Sequence, residues 1–159
     1  MGHLRALLGQ TGSMEPTFSH FGLCVSDLVR SVRFYCDALG FEKAESHTIG
    51  SEFARLMDLP DVVLTSQFLR KGTTSVELLG FAEPPPFGDT APRAINQLGL
   101  THLSFRVSDV EGTAARVTEL GGSILESSRT TIELGGTSLQ FLYCTDPDGV
   151  RIELMDLGG

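Results

Sequence analysis

The chain has 159 residues, of which 41% are hydrophobic, and this suits one globular domain or two small modules with a shared core. A formal net charge of −8 excludes the basic surface that nucleic-acid binding needs. No apolar run approaches the roughly 20 residues that span a bilayer. Three cysteines without CxxC spacing predict reduced thiols in a cytoplasmic protein.

The start of the chain, 1–17, lacks apolar periodicity and is predicted to be an N-terminal extension. A first module is predicted over 18–82. Alternating apolar residues after His20 predict a strand, with His20 on the face opposite to the apolar one. An N-cap at 26–27 and apolar residues spaced by about one helical turn predict a helix that ends at Gly40.

Three further strands complete the first module, which therefore has the order β-α-β-β-β. The second strand is placed only coarsely, within 41–55, and the third covers 62–69. A turn at 70–72 precedes a closing strand over 74–80, which carries Glu77 in its middle.

A linker is predicted over 83–98, because its three consecutive prolines cannot donate hydrogen bonds to a sheet. The second module, 99–157, repeats the first, with His102 on its first strand and Glu153 on its last. Its predicted elements are a strand over 102–107, a helix from 110 to the glycines at 121–122, strands at 124–125, 130–134 and 139–144, a turn at 146–149 and a last strand over 150–155.

The repetition is visible in the residues themselves, since SHFGLCVSDL at 19–28 resembles THLSFRVSDV at 101–110. The spacing of the two histidines, 102 − 20 = 82, is close to that of the two glutamates, 153 − 77 = 76. The duplicated module supplies two imidazoles and two carboxylates. This donor set suits a divalent cation such as Zn²⁺, Ni²⁺, Co²⁺, Mn²⁺ or Fe²⁺.

The position of these four residues depends on strand pairing. If the first and last strands of each module pair, its histidine and glutamate reach one concave surface. Pseudo-twofold symmetry would then bring the four together, within one chain or across a dimer. Arg106 and Arg151 share the strand faces of His102 and Glu153. They are candidates for binding a substrate carboxylate or phosphate, or for neutralising a nearby acidic residue.

The residues resemble the vicinal oxygen chelate superfamily, which includes glyoxalase I, methylmalonyl-CoA epimerase, extradiol dioxygenases, and fosfomycin and bleomycin resistance proteins. The resemblance covers about 18–157. The matching motifs are His20 with Val25-Ser26-Asp27-Leu28, Ser31-Val32-Arg33-Phe34-Tyr35, Leu39-Gly40-Phe41, Gly99-Leu100-Thr101-His102 and the run from Asp146-Pro147-Asp148-Gly149 to Glu153-Leu154.

The resemblance implies an α+β fold of paired βαβββ modules, whose curved mixed sheets form a metal-binding cavity. It also implies a homodimer. By resemblance, each site holds one divalent metal, with Zn, Ni, Co or Mn favoured over Fe. The implied ligands are His20, Glu77, His102 and Glu153.

Glu77 favours one branch of the superfamily. Four protein ligands leave two open positions on an octahedral metal, which suits a small metabolite bound through two vicinal oxygens. By resemblance to glyoxalase I and the epimerases, the reaction is proton removal next to a carbonyl, through a metal-stabilised enolate. Glu153 or Glu77 would double as the base, with Glu153 favoured. Methylmalonyl-CoA epimerases, however, usually carry Gln at the position of Glu77.

Two other functions remain open. An extradiol-type dioxygenase would use only His20, His102 and Glu153, which leaves room on the metal for oxygen. A metal-free drug-binding resistance protein would have no need of matched histidines and glutamates in both modules.

Overall fold

The computed structural model describes residues 15–158, so most of the predicted extension at 1–17 lies outside the described residues. No helix within 15–158 is long and apolar enough to cross a membrane. The elements in chain order are β1 (Phe21–Cys24), α1 (Leu28–Asp37), β2 (Glu42–Ile49), β3 (Val63–Lys71), β4 (Thr74–Glu83), β5 (Leu103–Arg106), α2 (Val110–Glu119), β6 (Ser123–Ile124), β7 (Thr130–Leu134), β8 (Thr137–Thr145) and β9 (Arg151–Asp156).

Two mixed sheets confirm the predicted α+β fold. The first has the order β1-β4-β3-β2, and the second has the order β5-β9-β8-β6. In each sheet the first strand runs parallel to the last, whereas the other pairs are antiparallel. Both β6 and β7 pair with β8, so a short 3-10 helix at Glu126–Ser128 interrupts the outer edge of the second sheet.

The two helices begin in the same way. The Asp27 carboxylate accepts a hydrogen bond from the backbone N–H of Arg30 at 3.0 Å, and the Asp109 carboxylate accepts one from Gly112 at 2.8 Å. The N-cap predicted at 26–27 is therefore Asp27. Gly40 follows α1 with φ +73°, a conformation that glycine adopts without a steric penalty, as predicted for the helix stop.

The sequence placed the β3–β4 turn too early, at 70–72. In the structure β3 continues to Lys71, and the turn consists of two residues, 72–73. Gly72 has φ +58°, and a two-residue hairpin needs such left-handed backbone. The closing strand also runs to Glu83, three residues beyond its predicted end.

One hydrophobic core joins the two halves of the chain. Phe34 and Tyr35 of α1 are fully buried in the same cluster as Leu142 and Ile152 of the second sheet. Burial of apolar surface contributes roughly 25 cal/mol per Å², so these residues hold the two sheets together. A separate small cluster forms where a 3-10 helix, Ser51–Met57, packs on the first sheet.

Asp146 is a polar residue buried at the interface between the two halves of the chain. Its carboxylate is 1% exposed and accepts hydrogen bonds from the Tyr35 hydroxyl at 2.9 Å and from the backbone N–H groups of Asp148 and Val150. Burial raises the pKa of Asp146 above its usual range. The Tyr35 hydroxyl is thus one of three donors that stabilise this buried carboxylate.

Asp148 forms a second set of polar contacts at the same interface. Its carboxylate accepts hydrogen bonds from the backbone N–H of Ser26 at 3.0 Å and from the Arg30 guanidinium at 2.8 Å. Because Asp27 already caps α1, Ser26 is free to make this contact with the second half of the chain. Through these hydrogen bonds, the predicted turn at 146–149 connects the start of α1 to the second sheet.

We expect Tyr35→Phe to lower the free energy of unfolding by about 1–3 kcal/mol, because it leaves a buried carboxylate oxygen without its donor. Urea unfolding measures the change. Tyr143→Phe is the matched control, since Tyr143 is only partly buried and water can replace its hydroxyl. If Tyr35→Phe lowers the free energy of unfolding no more than Tyr143→Phe does, the Tyr35–Asp146 hydrogen bond does not stabilise the interface between the halves.

Candidate metal centre

The first sheet brings His20 and Glu77 together. Because β1 runs parallel to β4, Gly22 lies beside Glu77, and His20, two residues earlier, projects from the same face. His20 Nε2 lies 3.1 Å from Glu77 Oε2. The hydroxyl of Ser66, on β3, donates a hydrogen bond to the other carboxylate oxygen, Oε1, at 2.5 Å.

The second sheet repeats this arrangement. Ser104 of β5 lies beside Glu153 of β9, and the His102 Nε2 atom lies 3.5 Å from Glu153 Oε2. The Ser104 hydroxyl donates a hydrogen bond to the same oxygen at 2.7 Å. The predicted pairing of the first and last strands therefore holds in both halves, and it produces two histidine–glutamate pairs, His20–Glu77 and His102–Glu153.

A hydroxyl group lies within hydrogen-bond distance of the second ring nitrogen, Nδ1, of each histidine. Ser19 Oγ lies 2.9 Å from His20 Nδ1, and Thr101 Oγ1 lies 2.9 Å from His102 Nδ1. When Nδ1–H donates to the hydroxyl oxygen, Nε2 keeps the lone pair that a metal requires. Both histidines can therefore present Nε2 as a metal ligand on the side of the glutamate.

An aromatic ring stands directly across the strands from each glutamate. Phe68 is the register partner of Glu77, and Tyr143 is that of Glu153. The rings lie edge-on to the histidines, with centroid distances of 5.2 Å for His20–Phe68 and 5.3 Å for His102–Tyr143. Neither ring was predicted from the sequence, although each precedes its glutamate by a similar spacing, 77 − 68 = 9 and 153 − 143 = 10.

The two halves differ in polarity around the glutamates. Where the first half has Phe68, the second has Tyr143, and where the first has Ser75, the second has Arg151. Partial burial and the charge of Glu153 raise the pKa of Tyr143. A phenolic hydroxyl and a guanidinium group are therefore present beside Glu153, whereas the corresponding positions beside Glu77 carry a phenyl ring and a serine.

Both pairs are half-buried, but the structure keeps them apart. The histidine side chains are 32% and 27% exposed, and both glutamates are 19% exposed, so each pair remains accessible from outside. Within residues 15–158, no group of three or more His, Cys, Asp or Glu side chains could hold a metal ion. A single chain therefore supplies two half-sites with two candidate ligands each.

The two candidate arginines lie in different surroundings. The Arg151 guanidinium stacks over the Tyr143 ring at 5.3 Å and donates to the carbonyl oxygen of Arg93 at 2.6 Å, while its Nε is buried without a partner. Arg106 is exposed and lines a cavity of about 410 Å³ together with His102. Within the described residues, neither arginine forms an ion pair with an acidic side chain.

Known proteins share this sequence pattern and fold. The chain is 31% identical over 144 residues to the uncharacterized protein YaeR of Escherichia coli K12, covering 86% of this chain and 93% of that protein. It is 27% identical over 146 residues to an ethylmalonyl-CoA/methylmalonyl-CoA epimerase of Cereibacter sphaeroides, covering 86% and 94%. The crystal structure of a glyoxalase family protein from Bacillus cereus superposes with a TM-score of 0.77 at 19% identity, covering 94% and 99%.

The family model that describes the Glyoxalase/Bleomycin resistance protein/Dioxygenase superfamily matches residues 17–154, which include both histidine–glutamate pairs and both sheets except the last two residues of β9. This match agrees with the resemblance drawn from the sequence motifs. The chain therefore belongs to the Glyoxalase/Bleomycin resistance protein/Dioxygenase superfamily.

Proposed function

We propose that the protein is a divalent-metal-dependent enzyme that moves a proton next to a carbonyl group of a small oxygenated metabolite. The observation that carries this proposal is the repeated half-site. Each half-site pairs a histidine with a glutamate and supports both residues with hydroxyl groups. A residue pair kept for packing alone would not require a hydroxyl group beside Nδ1 of the histidine in both copies.

We infer that a second copy of the chain completes each metal site. One chain holds the His20–Glu77 pair and the His102–Glu153 pair on different sheets, and the two pairs do not converge within 15–158. Closed twofold symmetry would place the first pair of one copy against the second pair of its partner, and the reverse. A homodimer of this kind contains two equivalent four-ligand sites.

The donor set fits a borderline divalent cation. Two imidazoles and two carboxylates together balance the two positive charges, and Zn, Ni, Co and Mn accept this mixture of nitrogen and oxygen ligands. His20, Glu77, His102 and Glu153 would hold one such ion per site. When bound, the metal would act as a Lewis acid toward the substrate oxygens.

Glu153 is the better candidate for the base. Both oxygens of Glu77 are engaged, Oε1 by Ser66 and Oε2 by His20. The carboxylate of Glu153 is contacted as well, on Oε2 by the Ser104 hydroxyl and His102, and by the Tyr143 side chain, so Glu153 is favoured by its surroundings rather than by a free oxygen. The polar groups that could orient a substrate also lie on this side. Glu153 would accept the proton, Glu77 would remain a ligand, and Arg106 and Arg151 would bind an anionic group of the substrate.

The epimerase among the relatives supports proton transfer next to a carbonyl as the reaction class. Lyases and isomerases of this class share one first step, in which a carboxylate removes a proton whose negative charge passes to the neighbouring oxygen. The proposal therefore covers both a glyoxalase-like lyase and an epimerase.

The test of the metal site is elemental analysis of tag-free protein purified without chelator. We expect near-stoichiometric Zn, Ni, Co or Mn, and a loss of at least about tenfold in metal affinity in His102→Ala. His47→Ala is the control, because His47 forms no ion pair within the described residues. Protein that neither contains nor takes up metal would overturn the proposal, and Fe with oxygen uptake would favour the dioxygenase.

Complementation tests whether two copies share the site. His20→Ala and His102→Ala chains carrying different tags are co-expressed, and the mixed dimer is isolated through both tags. If each site spans two copies, one site of the mixed dimer lacks both histidines while the other keeps both, so metal binding returns in that site. Sites built within single chains would remain damaged in every copy, and the mixed dimer would then bind no better than either parent.

The role of Glu77 separates the proposed enzyme from the dioxygenase. We expect Glu77→Ala to weaken metal binding about tenfold or more, because it removes one of four ligands. A dioxygenase site made of His20, His102 and Glu153 would keep its metal in this variant. Competition with a coloured chelator measures the affinity, and Glu45→Ala on strand β2 of the same sheet serves as the control for an exposed glutamate.

A further inference from the structure

Among residues 15–158, the side chains that line the cavity beside His102 include two cations and no carboxylate. It has a volume of about 410 Å³ and lies between the edge strands β1 and β5 of the two sheets. Its charged side chains are Lys71 and Arg106, and His102 forms part of the wall. The formal charges of the described residues that line the cavity are thus positive, although the chain as a whole has a formal charge of −8.

The charges of these two cations are not neutralised within the described residues. Arg106 makes no hydrogen bond or ion pair there, and the Lys71 ammonium donates only to the backbone carbonyl of Leu39, at 2.5 Å. A carbonyl oxygen satisfies a donor of the ammonium group but leaves its full positive charge. Both side chains can therefore attract an anion that enters the cavity.

Most of the remaining wall is apolar, with Thr74 and Ser104 as its uncharged polar residues. Phe21, Phe41 and Phe105 line the cavity, and the rings of Phe41 and Phe105 meet edge-to-face with centroids 6.0 Å apart. Apolar walls lower the local dielectric constant, which strengthens the attraction between the cations and a bound anion. The volume lies near the lower end of the roughly 300–1,000 Å³ range of small-molecule sites.

We propose that this cavity binds the anionic end of a small organic acid with a short apolar body, held by Arg106 and Lys71. The inference rests on the proposed function, because His102 connects the cavity to the candidate metal centre. It names the substrate class of that site as small carboxylates rather than neutral metabolites. The apolar body lies against the three phenylalanine rings.

The test compares two probes of the same shape, 3-phenylpropanoate and 3-phenylpropan-1-ol, titrated into the full chain by calorimetry. We expect the carboxylate to bind about tenfold more tightly than the alcohol, because only the carboxylate gains charge-assisted hydrogen bonds. Arg106→Gln and Lys71→Gln should each reduce this preference without weakening the binding of the alcohol. Arg116→Gln, which removes an arginine already paired with Glu119 on α2, should leave the preference unchanged.

Three results would overturn the inference: equal affinity for both probes, no binding of either probe, or an unchanged preference in both Arg106→Gln and Lys71→Gln. Repeating the titration with chelator separates this inference from the proposed function. A preference that disappears with the metal would show that the metal, rather than the two cations, selects the anion, and would also overturn the inference. A preference for the carboxylate that persists with chelator would support the cavity, and the metal content of untreated protein would decide the proposed function separately.

Discussion

The parallel pairing of the first and last strand in each sheet is the constraint on which the candidate site depends. Adjacent strands lie about 4.8 Å apart, so a histidine and a glutamate on one face of neighbouring strands come within reach of each other. Gly22 beside Glu77 and Ser104 beside Glu153 set this register. A shift by one residue would turn the glutamates toward the hydrophobic core, where an unpaired carboxylate is costly. Apolar residues on the opposite face therefore maintain the register of the site.

The sequence predicted each histidine–glutamate pair because the repeat identified matching strands, and strand alternation then placed both residues on one face. It did not determine how the two pairs relate to each other. Alternation describes contacts within a sheet, whereas the meeting of two sheets depends on the packing of Phe34 and Tyr35 against the second half. The hydroxyls of Ser19 and Thr101 were missed for a similar reason, since a serine or threonine before a histidine carries no signal of its own.

The position of the β3–β4 turn was also predicted wrongly, because the local sequence signal was misleading. The prediction of a turn at 70–72 relied on two charged residues next to a glycine, but Arg70 and Lys71 remain in β3. Arg70 pairs with Glu45 of β2 across the sheet, and Lys71 reaches the end of α1. Only Gly72 has the left-handed backbone conformation that the two-residue turn requires. Tertiary contacts of the long basic side chains therefore extended the strand beyond its local signal.

The difference between Phe68 and Tyr143 has a consequence for how such a duplicated protein can diverge. The two copies share the histidine–glutamate pair, while a phenolic hydroxyl and a guanidinium group are present in one copy only. Under the proposed function, mutations near Tyr143 and Arg151 would alter what the protein recognises, while the first copy would keep its contribution to the proposed metal site. Duplication of this kind separates two selective pressures that a single-copy ancestor would have to satisfy with the same residues.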